Sequence, residues 1–320
     1  MRRRPARGAA LLLAMIIVAL MTTAVAGMIW MQTRAVGVEG AERARTQAAW
    51  ILSGALDWAR LILREDARSA RQNGKTYDAL TEPWATPLAE ARLSTFLAAD
   101  KDNNAEGGPE AFISGSIVDA QARFNLRGLV DGSGKAVPAQ VAALQRLAAQ
   151  AGAPSDAATR IAELMARAWG PVGDEGPRGP PIKPTKLADL VWLGIDAATI
   201  ARLAPWVDLL PLPTPVNANT APREVLVAAI DNLDLGTAER LVQARTRKPF
   251  ETLADVQAQL PGTLKAEAGR IGVTSSWFVV AGRLRLEERV LEERSLLHRD
   301  GDKVTVRRRE RASFAVAPGA

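Results

Sequence analysis

Little in this chain of 320 residues can do covalent chemistry. It has no cysteine and one histidine, His298. A Cys-ligated zinc site, a thiol nucleophile and most histidine-based triads are therefore excluded, and no disulfide framework can form. No glycine loop has a phosphate-cradling spacing. Asp100-Lys101-Asp102-Asn103-Asn104 begins like a calcium loop, with oxygen ligands on Asp100, Asp102 and Asn104. Ala105 then stands where such a loop turns on glycine, and Ala111 where it closes with a bidentate glutamate. Calcium is the only ion this sequence suggests, and the loop is incomplete.

The elements around this chemistry are more informative. The net charge is +6, and Arg2, Arg3, Arg4 and Arg7 supply four of those charges, leaving +2 for the rest. Gly8 to Thr33 then carries no charge at all. A membrane-spanning helix needs about 20 apolar residues, and arginines before it predict a cytoplasmic N-terminus. Ala24-Val25-Ala26 would suit signal-peptide cleavage; a retained single-pass anchor fits the same residues. Ile51, Ala55, Trp58 and Ile62 recur at helical spacing beyond the apolar run. A signal peptide that is removed has no reason to continue into such a helix, so the spacing predicts one retained helix over residues 9–68. Gly37, Gly40 and Gly54 weaken it locally.

Further on, Gly107-Gly108-Pro109 is a loop, and Ile113–Asp119 reads as a strand. Residues 135–273 are mostly helical in pattern, with stripes at Val141, Leu144, Leu147 and at Ile161, Leu164, Met165. Leu187-Ala188-Asp189-Leu190 recurs as Leu253-Ala254-Asp255-Val256, which suggests two related helical units. In Pro215-Val216-Asn217-Ala218-Asn219-Thr220-Ala221-Pro222, Asn219 or Thr220 can cap the helix that follows. From Ser275 strands return: Leu284 and Leu286 alternate, and Asp300-Gly301 marks a hairpin turn before Val304-Thr305-Val306. The Arg/Glu pairs there suit a solvated face or cross-strand ion pairs, and His298 beside the turn is expected to be exposed.

Together these residues resemble the type IV pilin and pseudopilin family, and within it the K-type minor pseudopilins (GspK) of type II secretion systems. Arg7-Gly8-Ala9-Ala10-Leu11-Leu12 is similar to a prepilin-peptidase site, which implies cleavage between Gly8 and Ala9 and methylation of the new terminus. The fifth mature position, usually glutamate in the family, is Leu13, as in K-type subunits. Gly115-Ser116-Ile117-Val118-Asp119 with Arg123-Phe124-Asn125-Leu126, and the motif holding Asn217, Asn219 and Thr220, resemble K-family patterns. The resemblance implies an α+β fold. A long pilin-like N-terminal helix packs on an antiparallel sheet, with a large all-helical domain of SAM or helix-hairpin-helix type inserted. The implied division is a leader at 1–8, a transmembrane half-helix at 9–33, a pilin-like helix and first strand at 34–130, the insertion at 131–273 and the last strands at 274–320. It also implies a structural protein that is not an enzyme, a tip subunit of the pseudopilus anchored once in the bacterial inner membrane with its bulk in the periplasm. Its partners would be the I-, J- and H-type minor pseudopilins, the inner-membrane assembly platform, the prepilin peptidase that processes it, and exported proteins. K-type subunits typically bind calcium beside an acidic, tyrosine-containing segment; here Gly173-Asp174-Glu175-Gly176 is short, and the only tyrosine is Tyr77.

The alternative is a membrane-anchored helix-hairpin-helix module for DNA uptake. Such modules hold phosphate on a Gly-hydrophobic-Gly turn, and this turn is Asp234-Leu235-Gly236. Residues 217–273 carry seven positive and seven negative side chains, which removes the electrostatic drive toward nucleic acid. No nucleic acid is expected as a partner.

Overall fold

With no charged side chain to demand water between Gly8 and Thr33, the backbone satisfies its own hydrogen bonds as a helix, α1 (Arg7–Gln72, 66 residues). The computed structural model describes residues 7–93, 111–170, 182–286 and 289–315. The chain divides into two compact units, residues 1–54 and 55–320. The first consists of the apolar part of α1, whose large side chains lie exposed. Among the described residues this is the one helix long and apolar enough to cross a membrane. Gly37, Gly40 and Gly54 do not interrupt it.

In the second unit the rest of α1 lies on a five-stranded sheet. Its strands are β1 (Leu88–Arg92), β2 (Ala111–Asp119), β7 (Trp277–Leu286), β8 (Arg289–Asp300) and β9 (Lys303–Ala315). They stand in the order β1-β2-β7-β8-β9, each neighbour antiparallel. The hairpin between β8 and β9 turns at Gly301, where φ is +54° and glycine is free of the Cβ clash. Leu56, Ala59 and Leu63 of α1 pack against Ile117, Phe278, Val280 and Leu297, with Trp84 edge-on to Phe278 at 5.2 Å. The buried stripe is therefore displaced by one residue from the Ile51–Trp58–Ile62 spacing, and Trp58 is 57% exposed. Two apolar stripes run side by side on this helix. The one with Ala59 faces the sheet, and the one that carries bulky Trp58 at the neighbouring position is turned outward.

The insertion leaves the sheet at Asp119 and returns at Phe278, and these two residues are partners across β2 and β7. It contains two halves built in the same order. The first runs from β3 (Phe124–Asn125) through α2 (Pro138–Gln150), α3 (Ala157–Trp169), a 3-10 helix (Leu187–Leu193) and α4 (Ala197–Leu203) to β4 (Val207–Asp208). The second runs from β5 (Val216–Asn217) through α5 (Arg223–Ala229), α6 (Leu235–Arg247) and α7 (Leu253–Ala258) to β6 (Ile271–Gly272). In each half the first strand pairs in parallel with the last. Helices α2 and α5 meet between the halves, over a core that includes Leu144, Leu147, Ile161, Met165, Leu226 and Leu241.

The repeated Leu-Ala-Asp motif has the same physical role in both halves. Asp189 Oδ2 accepts from Thr185 N (2.9 Å), Thr185 Oγ1 (2.9 Å) and Lys186 N (3.1 Å). Asp255 Oδ2 accepts from Glu251 N (3.1 Å), Thr252 N (2.8 Å) and Thr252 Oγ1 (3.0 Å). Each carboxylate closes the N-terminus of its helix by satisfying backbone donors that have no helical partner.

Candidate functional site

Where the insertion meets the sheet, polar side chains are buried together. Asp119, at the end of β2, is 2% exposed, and among the described residues no cation pairs with its carboxylate. It is held by neutral donors alone: Gln121 N on Oδ1 at 2.8 Å, and on Oδ2 Thr220 Oγ1 at 2.5 Å, Ser275 Oγ at 2.6 Å and Asn217 Nδ2 at 3.1 Å. Burial pushes its pKa up to about 6 against the pull of those hydrogen bonds, and the nearby Asp78 raises it further.

Asn217 is fully buried on β5 and links three segments. Its Nδ2 donates to Asp119 Oδ2, to Ser275 Oγ (2.9 Å) and to the Asp78 carbonyl (3.1 Å), while its Oδ1 accepts from Asn219 N (2.9 Å). Asn219 turns the other way. Its amide pairs with the backbone of Phe250 in both directions, accepting from N at 2.8 Å and donating to O at 2.9 Å. Buried Arg245 closes the same loop by donating to the Ala218 and Ala221 carbonyls at 2.7 and 2.5 Å, and burial lowers its pKa to about 10. Asn219 and Thr220 therefore do not cap α5. Pro222 occupies its N-cap without a side-chain bond, and the two polar side chains are used in long-range ties.

A cationic bridge extends the cluster to α1. Arg299 on β8 donates to Asp66 at 2.8 Å, to Asp78, and to the Ser275 carbonyl at 2.9 Å, with its guanidinium 4.7 Å from the Phe278 ring centroid. Asp78 Oδ2 accepts from Ser275 N at 2.7 Å. Burial raises the pKa of Asp66 despite Arg299. Asp66, Asp78 and Glu82 lie close enough to hold a cation among them. Protein cations already fill that role, Arg299 on the two aspartates and Lys75 on Glu82. The Ser275 and Thr220 hydroxyls beside the Asp119 carboxylate are buried with it and committed to these bonds. The arrangement is a clasp that holds sheet, insertion and helix in one geometry.

Of the residues singled out from the sequence, Asn217, Asn219 and Thr220 come together in this clasp with Asp119. Gly8 and Ala9 lie in the first turns of α1, and Leu13 is exposed on it. Asp100, Asp102 and Asn104 lie outside the described residues. Asp66, Asp78, Ser275 and Arg299 were not found by sequence reasoning; four scattered polar residues give no local pattern. His298 is half-buried, its ring 4.4 Å from that of Trp277, and burial lowers its pKa. At the hairpin of the insertion, Asp234 accepts from Thr237 N (2.9 Å) and Thr237 Oγ1 (2.6 Å), so its own carboxylate occupies the helix end that a phosphate would need.

A long apolar helix continuing onto one face of an antiparallel sheet defines a pilin-like protein. Family models described as type II secretion system (T2SS), protein K match residues 122–212 and 216–274, one for each half of the insertion. The type II secretion system protein K of Pseudomonas aeruginosa is 30% identical over 307 residues, covering 90% of this chain and 87% of that protein. The protein of the same name from Pectobacterium carotovorum is 29% identical, covering 96% and 97%. Among solved structures, the GspK–GspI–GspJ complex from the enterotoxigenic Escherichia coli type 2 secretion system contains a chain of the same fold. Its TM-score is 0.64 at 21% identity, over 85% of this chain and 98% of that one. The chain belongs to the type II secretion system protein K family, the K-type minor pseudopilins.

Proposed function

We propose that this minor pseudopilin stands at the tip of the pseudopilus, assembled with I- and J-type subunits, where it starts the fibre and serves export of folded proteins across the outer membrane. The way the insertion is locked to the sheet carries this reading. The clasp of Asp119, Asn217, Thr220 and Ser275 leaves the bulk of residues 124–272 no freedom to swing aside. A subunit so widened does not stack within a shaft, so the end of the fibre is its place. Exposed Trp50 and Trp58 on α1, 75% and 57% accessible, support helix packing with partner subunits. The solved relative crystallised with I and J subunits supports the choice of partners.

The chain is a structural part and performs no catalysis. Arginines before α1 support a cytoplasmic N-terminus and a periplasmic bulk. Leu13 fits the tip as well. The carboxylate usual at that position needs the terminal amine of a subunit above it, and the last subunit has none, so an apolar residue is less costly in the bilayer. The test is to tag the full chain and express it with its own I- and J-type subunits. The reading expects one complex on purification and immunogold label at fibre ends only. Label along the shaft, or failure to co-purify, would overturn it.

A further inference from the structure

The sheet has a second face that α1 does not cover. Ile117, Val280 and Leu297 point toward α1, so alternation turns Ser116, Val118, Val279 and Ala281 to the opposite side. Part of that side is closed by the insertion, where Leu210 meets Trp277 and Leu296. Beside this contact lie two clefts of about 480 and 430 Å³, which meet along Arg123, Val279 and Arg294, residues that line both. Their floor is made of small residues, Gly115, Ala281 and Gly282 under one and Ala188, Ala201 and Ala204 beside the other. A chain could lie flat on such a floor.

Cations and carboxylates both line the walls, and they differ in how far they are committed to other partners. Arg123, Lys186, Arg283, Arg294 and Arg308 face Asp208, Glu292 and Glu310. The carboxylates of Asp119 and Glu293 also border the groove but are buried and committed, the first to the clasp and the second to Arg309 and Arg311. The remaining acids, of which Asp208 is buried, serve the cations loosely. Glu310 is shared by Lys186 (3.2 Å) and Arg308 (2.9 Å), while Asp208 stands 3.9 Å from Arg123 and Glu292 3.7 Å from Arg283. Arg294, at the junction of the clefts, is exposed, and its guanidinium has no ion pair or hydrogen bond among the described residues, its backbone alone being paired within the sheet.

We propose that this groove binds an extended acidic segment displayed on exported proteins. Accessible and loosely paired cations over a floor of small residues are complementary to a chain bearing carboxylates at every second position. The choice of source rests on the tip reading. Fibre contacts there run along α1, on the far side of the sheet, which leaves this face for a molecule that is not a fibre subunit.

The experiment uses the full chain in detergent and a fluorescein-labelled decapeptide of alternating glutamate and alanine, read by fluorescence anisotropy. Binding should weaken as salt rises to ~300 mM, where screening shortens to a few ångströms. Arg294→Glu and Arg123→Glu should each weaken binding roughly tenfold, and an alternating lysine peptide should not bind. Absent binding, or binding unchanged in both variants, would overturn the proposal. In the host, Arg294→Glu should reduce export of an acidic cargo several-fold while co-purification with I- and J-type subunits persists. Unchanged export, or loss of co-purification in this variant alone, would overturn the exported protein as occupant. If the unsubstituted chain fails to co-purify, the tip reading falls and the peptide measurement still decides the groove.

Discussion

Asp119 Oδ2 and Asn217 Nδ2 meet at 3.1 Å, although 98 positions separate the two residues in the chain. One ends a strand of the pilin sheet and the other begins the second half of the insertion. Their contact is the point where the two parts of the molecule become one body.

The clasp should make stability depend on pH in an unusual direction. Burial holds the pKa of Asp119 at about 6, above the ordinary carboxylate value near 3.9. The native state therefore keeps a proton that the unfolded chain releases, and stability falls as pH rises from about 4 to about 6. The effect is at most about 3 kcal/mol. Asp66, also raised by burial, adds to it with the same sign. Asp231, held at about 2 chiefly by its bond from Arg270, acts only at lower pH, where its contribution is lost on acidification. Thermal melts of the full chain followed by circular dichroism should show the decline, and Asp119→Asn should flatten most of it. His298, lowered by burial, acts with the opposite sign as pH approaches 6.5, so the comparison of the two proteins decides: a profile between pH 4 and 6 that Asp119→Asn leaves unchanged would refute the assignment.

Arg299→Leu should be among the most damaging single changes. It would leave Asp66 and Asp78, with side chains 11% and 7% exposed, without their shared cation. Breaking a buried pair from one side costs about 3–5 kcal/mol. Denaturant unfolding would measure this, and a loss below about 1 kcal/mol would mean that the aspartates find water or another cation.

The two asparagines of the motif should fail differently. Asn217→Ala removes donors from Asp119, Ser275 and the Asp78 carbonyl, at about 1–3 kcal/mol per group left unsatisfied. Hydrogen exchange should then quicken at residues 119–122 and 274–278, where the insertion joins the sheet. Asn219→Ala removes the paired bonds to Phe250, and exchange should quicken at residues 248–252 instead. Identical patterns in the two variants would contradict this division of labour.

Processing should leave Ala9 as the mature N-terminus. Intact mass of the protein made in its host should match a chain starting there, with or without an N-methyl group, and Gly8→Val should retain the leader. A start near Gly27 would indicate signal-peptide cleavage. In the mature protein Leu13→Glu would place a carboxylate in the bilayer at a cost of about 2.5–3.5 kcal/mol. The variant should still be absent from the shaft, because the insertion and not position 13 alone sets its place.

Features driven by local composition were the ones legible beforehand. The uncharged run from Gly8 to Thr33 announces its helix, the alternation at Leu284 and Leu286 announces its strand, and Leu-Ala-Asp appears twice because the same capping problem is solved twice. The edge strand Leu88–Arg92 was not legible. Leu-Ala-Glu-Ala-Arg is made of good helix formers, and pairing with β2 overrides their propensity. The motif of Asn217, Asn219 and Thr220 stood out as a pattern, but its task did not. A side chain that bonds a residue 98 positions away leaves no periodicity to read, and a helix cap was the nearest local use for it. The groove has the same character, since Arg123, Lys186 and Arg294 become neighbours only once the insertion has docked.

The insertion begins and ends on partners in adjacent strands, Asp119 and Phe278. During synthesis β2 must wait for its neighbour until the ribosome has passed Ser275, 156 residues after Asp119. Closing so long a loop as a random coil would be slow. Once both halves of the insertion have folded, the pairing of β3 with β4 sets Phe124 beside Val207, and that of β5 with β6 sets Asn217 beside Gly272, a few residues short of Ser275. What would be the most remote pairing in the sheet becomes a nearly local one. The insertion then acts as a folding jig for the sheet that carries it, and a domain folding independently in its place could be exchanged without disturbing the strand register.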